Sequence, residues 1–290
     1  MKSGRMKSGV KLIFLIGILF GISMSCTENP FKSADKILNN SISGKVALNT
    51  DAGPKGVYVW FKALNVNAWA DESGSFTLNI PPPAQQPGGG IDGIFKLYFY
   101  CANYQLQSVQ IALFNGNVQY SKQDLNNKGE LKATVRLRES LHIITTYGPR
   151  DSTETGTVNL LAYFTLQAKF GPSTVTGNIS LAEFQGDPEY LTGFLVDPNG
   201  NFVKVLQPEN RGRRTSNIEI DVVATTLEPV MVSVKPGFPG TYQVIPYLII
   251  NRKNLPAGLL QSMGAHVLEP TAEFLKIPLK IENNKFKIGG

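Results

Sequence analysis

From residue 41 onward, the apolar residues of the chain recur in short runs with a period of two. Residues 75–80, for example, read Ser-Phe-Thr-Leu-Asn-Ile. Alternation of apolar and polar side chains is typical of β-strands with one buried face. Clusters of Gly, Pro, Asn and Asp separate the runs and supply turn conformations. No long amphipathic helix pattern interrupts them, so the sequence predicts an all-β protein.

The predicted strands fall into two series along the chain. The first comprises 41–48, 57–64, 75–80, 94–101, 106–114 and 131–137. The second comprises 141–146, 157–170, 191–196, 202–206, 218–223, 230–234, 240–251 and 274–281. Asp197-Pro-Asn-Gly-Asn201 lies between two of these runs and predicts a tight hairpin. This spacing predicts two tandem β-sandwiches, residues 41–140 and an immunoglobulin-like one at 141–290.

The first series carries a recognisable order of motifs. Gly44-Lys-Val46 is followed by Gly56-Val-Tyr-Val-Trp60, by Asp71-Glu-Ser-Gly-Ser-Phe76 and by Asn103-Tyr104. This order is similar to the carboxypeptidase regulatory-like (transthyretin-like) domain. The resemblance implies a β-sandwich with an accessory role and no catalytic residues. Asn103 stands where the family has Gly, and we expect it to take the left-handed conformation that Asn tolerates.

The N-terminus has the pattern of an export signal. Four basic residues precede an apolar run at 12–22, which is 11 residues long and shorter than the ~20 needed to span a bilayer. Ser23-Met-Ser-Cys26 follows and resembles the lipobox of bacterial lipoproteins. The resemblance implies a signal peptide at 1–25 and lipidation of Cys26, and the polar segment that follows predicts a tether at 26–40. Thr27 rather than Asp follows Cys26, which by resemblance to enterobacterial sorting implies an outer-membrane lipoprotein facing the periplasm or the cell surface. An ordinary secretory signal cut near Ser25 is the alternative.

The charge of the chain depends on this signal. The first 25 residues contain four of the 28 basic residues and none of the 22 acidic ones, so the net charge falls from +6 to +2 without them. A nucleic-acid partner would require a clustered basic face. The nearest candidate is Arg211-Gly-Arg-Arg214, which we interpret as a solvated loop. We therefore expect no nucleic-acid partner.

Candidates for catalysis are few because the chain has two histidines and two cysteines. His266-Val-Leu-Glu269 matches the His-x-x-Glu of metallocarboxypeptidases, but no histidine follows it to act as third ligand. His142 is the only other histidine, and no Gly-x-Ser-x-Gly nucleophile motif is present. We expect Cys101 to be a small buried residue. The sequence predicts no catalytic residue, no metal and no cofactor.

Aromatic residues are the remaining candidates for ligand contact. Tyr58 and Trp60 share one face of a predicted strand, and Trp69 follows nearby. If that face is exposed, it suits stacking on sugars or a protein interface; packing within the core is the alternative. The sequence thus favours a non-enzymatic, lipid-anchored envelope module that binds a polysaccharide or a protein partner. An envelope hydrolase acting on glycans or peptides is the second hypothesis.

Overall fold

A computed structural model of the chain describes residues 40–152, 157–184, 186–209, 211–235 and 239–288. The described backbone is nearly all β, with no helix of seven or more residues, and confirms the predicted fold class. No helix within these ranges is long and apolar enough to cross a membrane. The predicted signal peptide, Cys26 and the tether up to residue 39 lie outside the described residues.

Twenty strands are found in the described part of the chain. The first ten are β1 Ser41–Leu48, β2 Tyr58–Phe61, β3 Val66–Trp69, β4 Ser75–Asn79, β5 Gly93–Tyr100, β6 Gln107–Phe114, β7 Asn117–Val118, β8 Val135–Leu137, β9 Leu141–Tyr147 and β10 Asp151–Ser152. The others are β11 Val158–Ala168, β12 Ser173–Ser180, β13 Gly193–Val196, β14 Phe202–Leu206, β15 Arg213–Ile220, β16 Thr225–Thr226, β17 Val230–Val234, β18 Gly240–Pro246, β19 Leu248–Asn251 and β20 Lys285–Ile288.

Two sheets enclose a first core. One has the order β4-β1-β8 and the other β3-β2-β5-β6-β7. Inward-facing residues of both sheets, such as Ile42, Phe76, Val59 and Phe99, belong to the same buried cluster. Because side chains alternate along a strand, each sheet gives every second residue to this core. The described chain from residue 41 to 137 therefore forms a β-sandwich.

Three sheets enclose a second core. They are a sheet centred on β11, which pairs with β9, β10, β16 and β17, and two others with the orders β15-β12-β19 and β14-β13-β18-β20. β11 alternates strictly between buried and half-buried residues over its 11 positions. Its buried residues share one cluster with Phe194, Val244 and Leu248 of the other sheets. Residues 141–288 therefore supply most of a second all-β core.

Two turns behave as their sequences indicate. Asp71 accepts hydrogen bonds from Ser73 N (2.8 Å) and Ser75 N (2.9 Å), Gly74 has φ +79°, and Phe76 re-enters the core. These contacts, the Ser73 hydroxyl foremost, lower the pKa of the exposed Asp71 carboxyl. In the hairpin between β13 and β14, the Asp197 carboxylate accepts the N–H groups of residues 199 and 201. Both turns are confirmed.

Other predicted elements are wrong in detail. The predicted strand at 274–281 is a 3-10 turn, Ala272–Lys276, followed by an irregular segment, because Thr271 caps the turn by accepting from Glu273 N. The predicted strand at 240–251 breaks at Tyr247 into β18 and β19, which belong to different sheets. β12 was not predicted at all. Asn103 does not have a positive φ, so the expected left-handed conformation is wrong.

Candidate functional site

Asn103 joins the two sandwiches through its side chain and its backbone. The fully buried amide Nδ2 donates to Leu141 O (3.0 Å) and to Lys280 O (2.9 Å). Its Oδ1 accepts from Lys280 N (3.0 Å), and its backbone oxygen accepts from Ser140 N and Leu141 N. A buried polar group is stable when it is fully hydrogen-bonded in this way. Asn103 thus connects the end of β5, the start of β9 and the C-terminal segment.

That C-terminal segment, residues 278–284, runs along the junction between the sandwiches. Pro278 O accepts from Ala102 N (2.7 Å), and Glu282 pairs with β9 through its backbone in a parallel bridge to Ile144. On the other side of the junction, Arg252 donates to Ala102 O (2.8 Å) and to the Ser140 hydroxyl (2.5 Å). The junction is therefore built from hydrogen bonds between segments far apart in sequence, and clefts open beside it.

The first of these clefts, the tryptophan cleft, has a volume of about 380 Å³. Its lining residues are Lys55, Gly56, Trp69, Ile245 and residues 274–280. Trp69 ends β3 on its outward face and is 43% exposed. The centroids of the Trp69 and Tyr58 rings are 4.7 Å apart, and the two ring planes are tilted by 53°. The Tyr58 ring therefore packs against the exposed indole.

Three lysines and no carboxylate belong to the lining of the tryptophan cleft. Lys55 pairs with Glu72 (2.7 Å) and Lys276 with Glu273 (2.6 Å) just outside it. Lys280 Nζ donates to Lys55 O (2.6 Å), and burial lowers the pKa of this ammonium group. The cleft therefore combines an aromatic surface with hydrogen-bond donors at its edge, an arrangement common in small-ligand sites.

Tyr58 and Trp60 do share one face of β2, but that face is not exposed. They are 1% and 3% exposed, and they belong to the second core, whereas Val57, Val59 and Phe61 belong to the first. The physical reason is long-range: the segment before and within the 3-10 turn Gln261–Met263 covers them. Tyr58 Oη hydrogen-bonds to Ser262 Oγ (2.9 Å). Of the two alternatives, packing within the core therefore holds for Tyr58 and Trp60, which corrects their candidate role in ligand contact, and of the three aromatic candidates only Trp69 stays accessible.

A second cleft, the histidine cleft, adjoins the first at Lys280 and has a volume of about 700 Å³. Its lining residues are 49–52, Tyr104, Glu139, His142, Ile143 and 280–282. His142 Nδ1 lies 3.0 Å from Glu139 Oε1, and its Nε2 lies 3.5 Å from Glu282 Oε2. The two carboxylates thus lie on opposite sides of the imidazole and do not converge on one point.

The other candidate residues lie away from these clefts. His266 pairs with Glu269 (2.8 Å) on the surface, and this hydrogen bond raises the pKa of the exposed imidazole. Within the described ranges, no cluster of three His, Cys, Asp or Glu side chains suited to a metal ion is found. Cys101 is fully buried, which raises its thiol pKa to about 12, so the sulfur stays protonated at neutral pH.

The arginine-rich stretch is more ordered than a solvated loop. Arg213 and Arg214 begin β15, and Arg214 pairs with Glu189 (2.6 Å). Arg211 donates to Pro188 O (2.9 Å) and stacks over the ring of Tyr190 (5.7 Å). The expected loop is therefore corrected for Arg213 and Arg214, which belong to a strand, and the side chains of Arg211 and Arg214 bind neighbouring protein groups.

No protein-family model matches the chain, and no curated protein has a similar sequence. The site must accordingly be interpreted from its own geometry. Sequence reasoning identified Trp69 but not Asn103 or Lys280 as site residues. Their roles depend on the segment 278–284, whose position no local sequence pattern indicates.

Proposed function

We propose that this chain is a non-enzymatic, lipid-anchored module of the bacterial cell envelope that binds a polysaccharide at the tryptophan cleft. The observation that carries the proposal is Trp69: a large aromatic ring, 43% exposed, on the rim of a cleft and supported by a second ring. An indole presents an apolar face and an N–H donor, so that it can stack on a sugar ring and bind its hydroxyls.

Sugar binding fits the remaining lining of the cleft better than a protein interface does. Lysine ammonium groups and the backbone of 277–280 border a narrow cleft of about 380 Å³. Protein interfaces of the stable kind bury about 800 Å² per partner around central hydrophobic anchors. One indole above a small polar-edged cleft is closer to the ligand sites that bind by stacking and a few directed hydrogen bonds.

The anchor and the location in this proposal rest on the lipobox-like motif at Cys26. Lipidation would hold the chain at a membrane, and its residues 41–288 would face the polysaccharides of the periplasm or the cell surface. Anchoring also raises the effective concentration of a weak binding site near its ligand. An anchored module with one cleft of modest affinity would therefore be sufficient to bind a polysaccharide at the envelope.

The binding test uses the full-length chain in detergent and a printed array of neutral and acidic polysaccharides. We expect binding to a defined group of them and a loss of about two- to twelvefold in affinity for Trp69→Ala, since one aromatic stacking contact contributes about 0.5–1.5 kcal/mol. Phe114→Ala is the matched control, because Phe114 is 59% exposed and lines neither the tryptophan cleft nor the histidine cleft. Equal binding by both variants would refute the proposal.

Hydrolysis is the second candidate, and His142 is the residue that would carry it. Since carboxylates face both of its ring nitrogens, the geometry supports a held imidazole more than a base directed at a substrate. Incubating each bound polysaccharide with the chain and separating the products by chromatography decides between the two. Products that disappear with His142→Asn would establish an enzyme.

A further inference from the structure

The charge of the tryptophan cleft comes from lysines. Its lining residues include Lys55, Lys276 and Lys280 and no Asp or Glu. Glu72 and Glu273, just outside the lining, pair with the first two of these lysines. Among the described residues, no carboxylate forms an ion pair with Lys280. The lining therefore contains an ammonium group whose charge the described part of the protein does not neutralise.

The ammonium group of Lys280 lies at the wall of the cleft. Its Nζ donates to Lys55 O at 2.6 Å, and both residues belong to the lining. Lys280 is half-buried, whereas the side chain of Lys55 is 69% exposed. An ammonium group has three N–H donors, and this hydrogen bond uses one of them. Because the described residues accept no other hydrogen bond from Nζ, two donors remain for a ligand.

The surroundings of Lys280 are unfavourable for a cation without a partner. Burial lowers the pKa of its ammonium group, since a partly desolvated charge loses hydration, and the nearby positive charge of Lys55 lowers this pKa further. A thiolate at Cys101 would act in the opposite direction, but the pKa of that thiol is raised to about 12 and it is protonated at neutral pH. An anion beside Lys280 would replace the lost hydration and oppose the repulsion from Lys55.

From these contacts we infer that the polysaccharide of the tryptophan cleft is acidic, and that one of its carboxylate or phosphate groups accepts hydrogen bonds from Lys280 Nζ. The inference rests on the proposed function and names the class of its ligand. Trp69 belongs to the same lining, so the ionic contact and the aromatic contact act on one ligand. Both are contacts that a sugar unit with an acidic substituent makes at once.

The histidine cleft on the other side of Lys280 has the opposite charge. Its lining includes Asp51, Glu139 and Glu282, whose carboxylates repel an anion. Lys280 lines both clefts and therefore marks the boundary between them. The anionic group of the ligand is accordingly expected on the side of Lys280 that faces the tryptophan cleft.

Matched polysaccharides test this assignment. Each acidic polysaccharide that binds on the array is compared with a neutral polymer made from it, by reducing its carboxyl groups to hydroxymethyl groups or by removing its phosphate groups. We expect the acidic form to bind about five- to tenfold more tightly, an effect between that of an exposed ion pair and that of a buried charged hydrogen bond. The treatment that lowers the affinity shows whether the anionic group is a carboxylate or a phosphate.

Variants of Lys280 connect the preference to its ammonium group. Lys280→Met should bind the acidic and neutral forms equally, with an affinity for the neutral form within about twofold of the unaltered chain, which shows that the fold is intact. Lys280→Arg retains the positive charge and should retain the preference. Lys204→Met is the matched control, because Lys204 Nζ also donates to a backbone oxygen, Ser233 O at 2.6 Å, and Lys204 lines neither cleft. It should keep the full preference.

Each other result decides a separate point. A preference that persists in Lys280→Met, or a loss of affinity for both forms in that variant, would overturn the assignment of the anion to Lys280. Equal binding of both forms by the unaltered chain, or binding of neutral polysaccharides alone, would overturn the acidic ligand; if Trp69→Ala still weakens binding, the proposed function stands. An unaltered chain that binds no polysaccharide would remove the proposed function and this inference with it.

Discussion

Replacing Asn103 with alanine should weaken the junction between the two sandwiches and so lower the free energy of unfolding. The variant removes three side-chain hydrogen bonds of 2.9–3.0 Å, to Leu141 O, Lys280 O and Lys280 N. A typical hydrogen bond contributes about 0.5–1.5 kcal/mol, and groups left buried without a partner cost more. We expect Asn103→Ala to lower the free energy of unfolding by about 3 kcal/mol.

Urea unfolding followed by circular dichroism measures this effect. Asn67→Ala is the control, because Asn67 is exposed on β3, and we expect a change within about 0.5 kcal/mol. Asn103→Asp keeps the volume of the side chain but removes its amide donor, and its carboxylate would face two carbonyl oxygens. A loss of stability in this variant is therefore due to lost hydrogen bonds and not to lost volume. A loss below about 1 kcal/mol in Asn103→Ala would refute the role assigned to the Asn103 side chain.

Three further predictions concern the anchor and the turns. Labelled palmitate should be incorporated into the unaltered chain and into Cys101→Ala but not into Cys26→Ala; equal labelling of both variants would exclude the lipobox interpretation. Gly74→Ala should lower the free energy of unfolding in urea by at least about 2 kcal/mol, since φ is +79° and the new methyl group would meet a backbone oxygen. Gly56→Ala is the control: its φ is +80° but the new methyl group would meet open space, so it should lower the free energy of unfolding by about 1 kcal/mol. The pKa of the Asp71 carboxyl is lowered, so the carboxylate stabilises the fold above the ordinary pKa of 3.8, and this contribution disappears as the pH falls through the lowered pKa. The thermal midpoints of the unaltered chain and Asp71→Asn should therefore converge in acid. A difference that stays constant with pH would contradict this.

Local patterns predicted the bounds of several strands that end at clear turns. Ser41–Leu48, Phe202–Leu206 and Val230–Val234 have the predicted bounds. Ser173–Ser180 was missed because its Ser, Thr, Gly and Asn residues have little apolar periodicity. It is a strand because β15 and β19 pair with its two edges, and that pairing is a tertiary effect.

The candidate site shows the same division between local and long-range information. The alternation of Tyr58 and Trp60 against Val57 and Val59 was predictable, since it follows from the strand period. The burial of the aromatic face was not, because the covering residue Ser262 lies 204 positions away from Tyr58.

The chain has two tryptophans, which permits a direct measurement of ligand contact at Trp69. Trp60→Phe leaves only the exposed Trp69, and Trp69→Phe leaves only the buried Trp60. Acrylamide quenching of each variant's fluorescence is compared with and without a bound polysaccharide. We expect strong quenching of Trp69 that the polysaccharide reduces, and weak, unchanged quenching of Trp60. A bound polysaccharide that leaves the quenching of Trp69 unchanged would contradict binding at the tryptophan cleft.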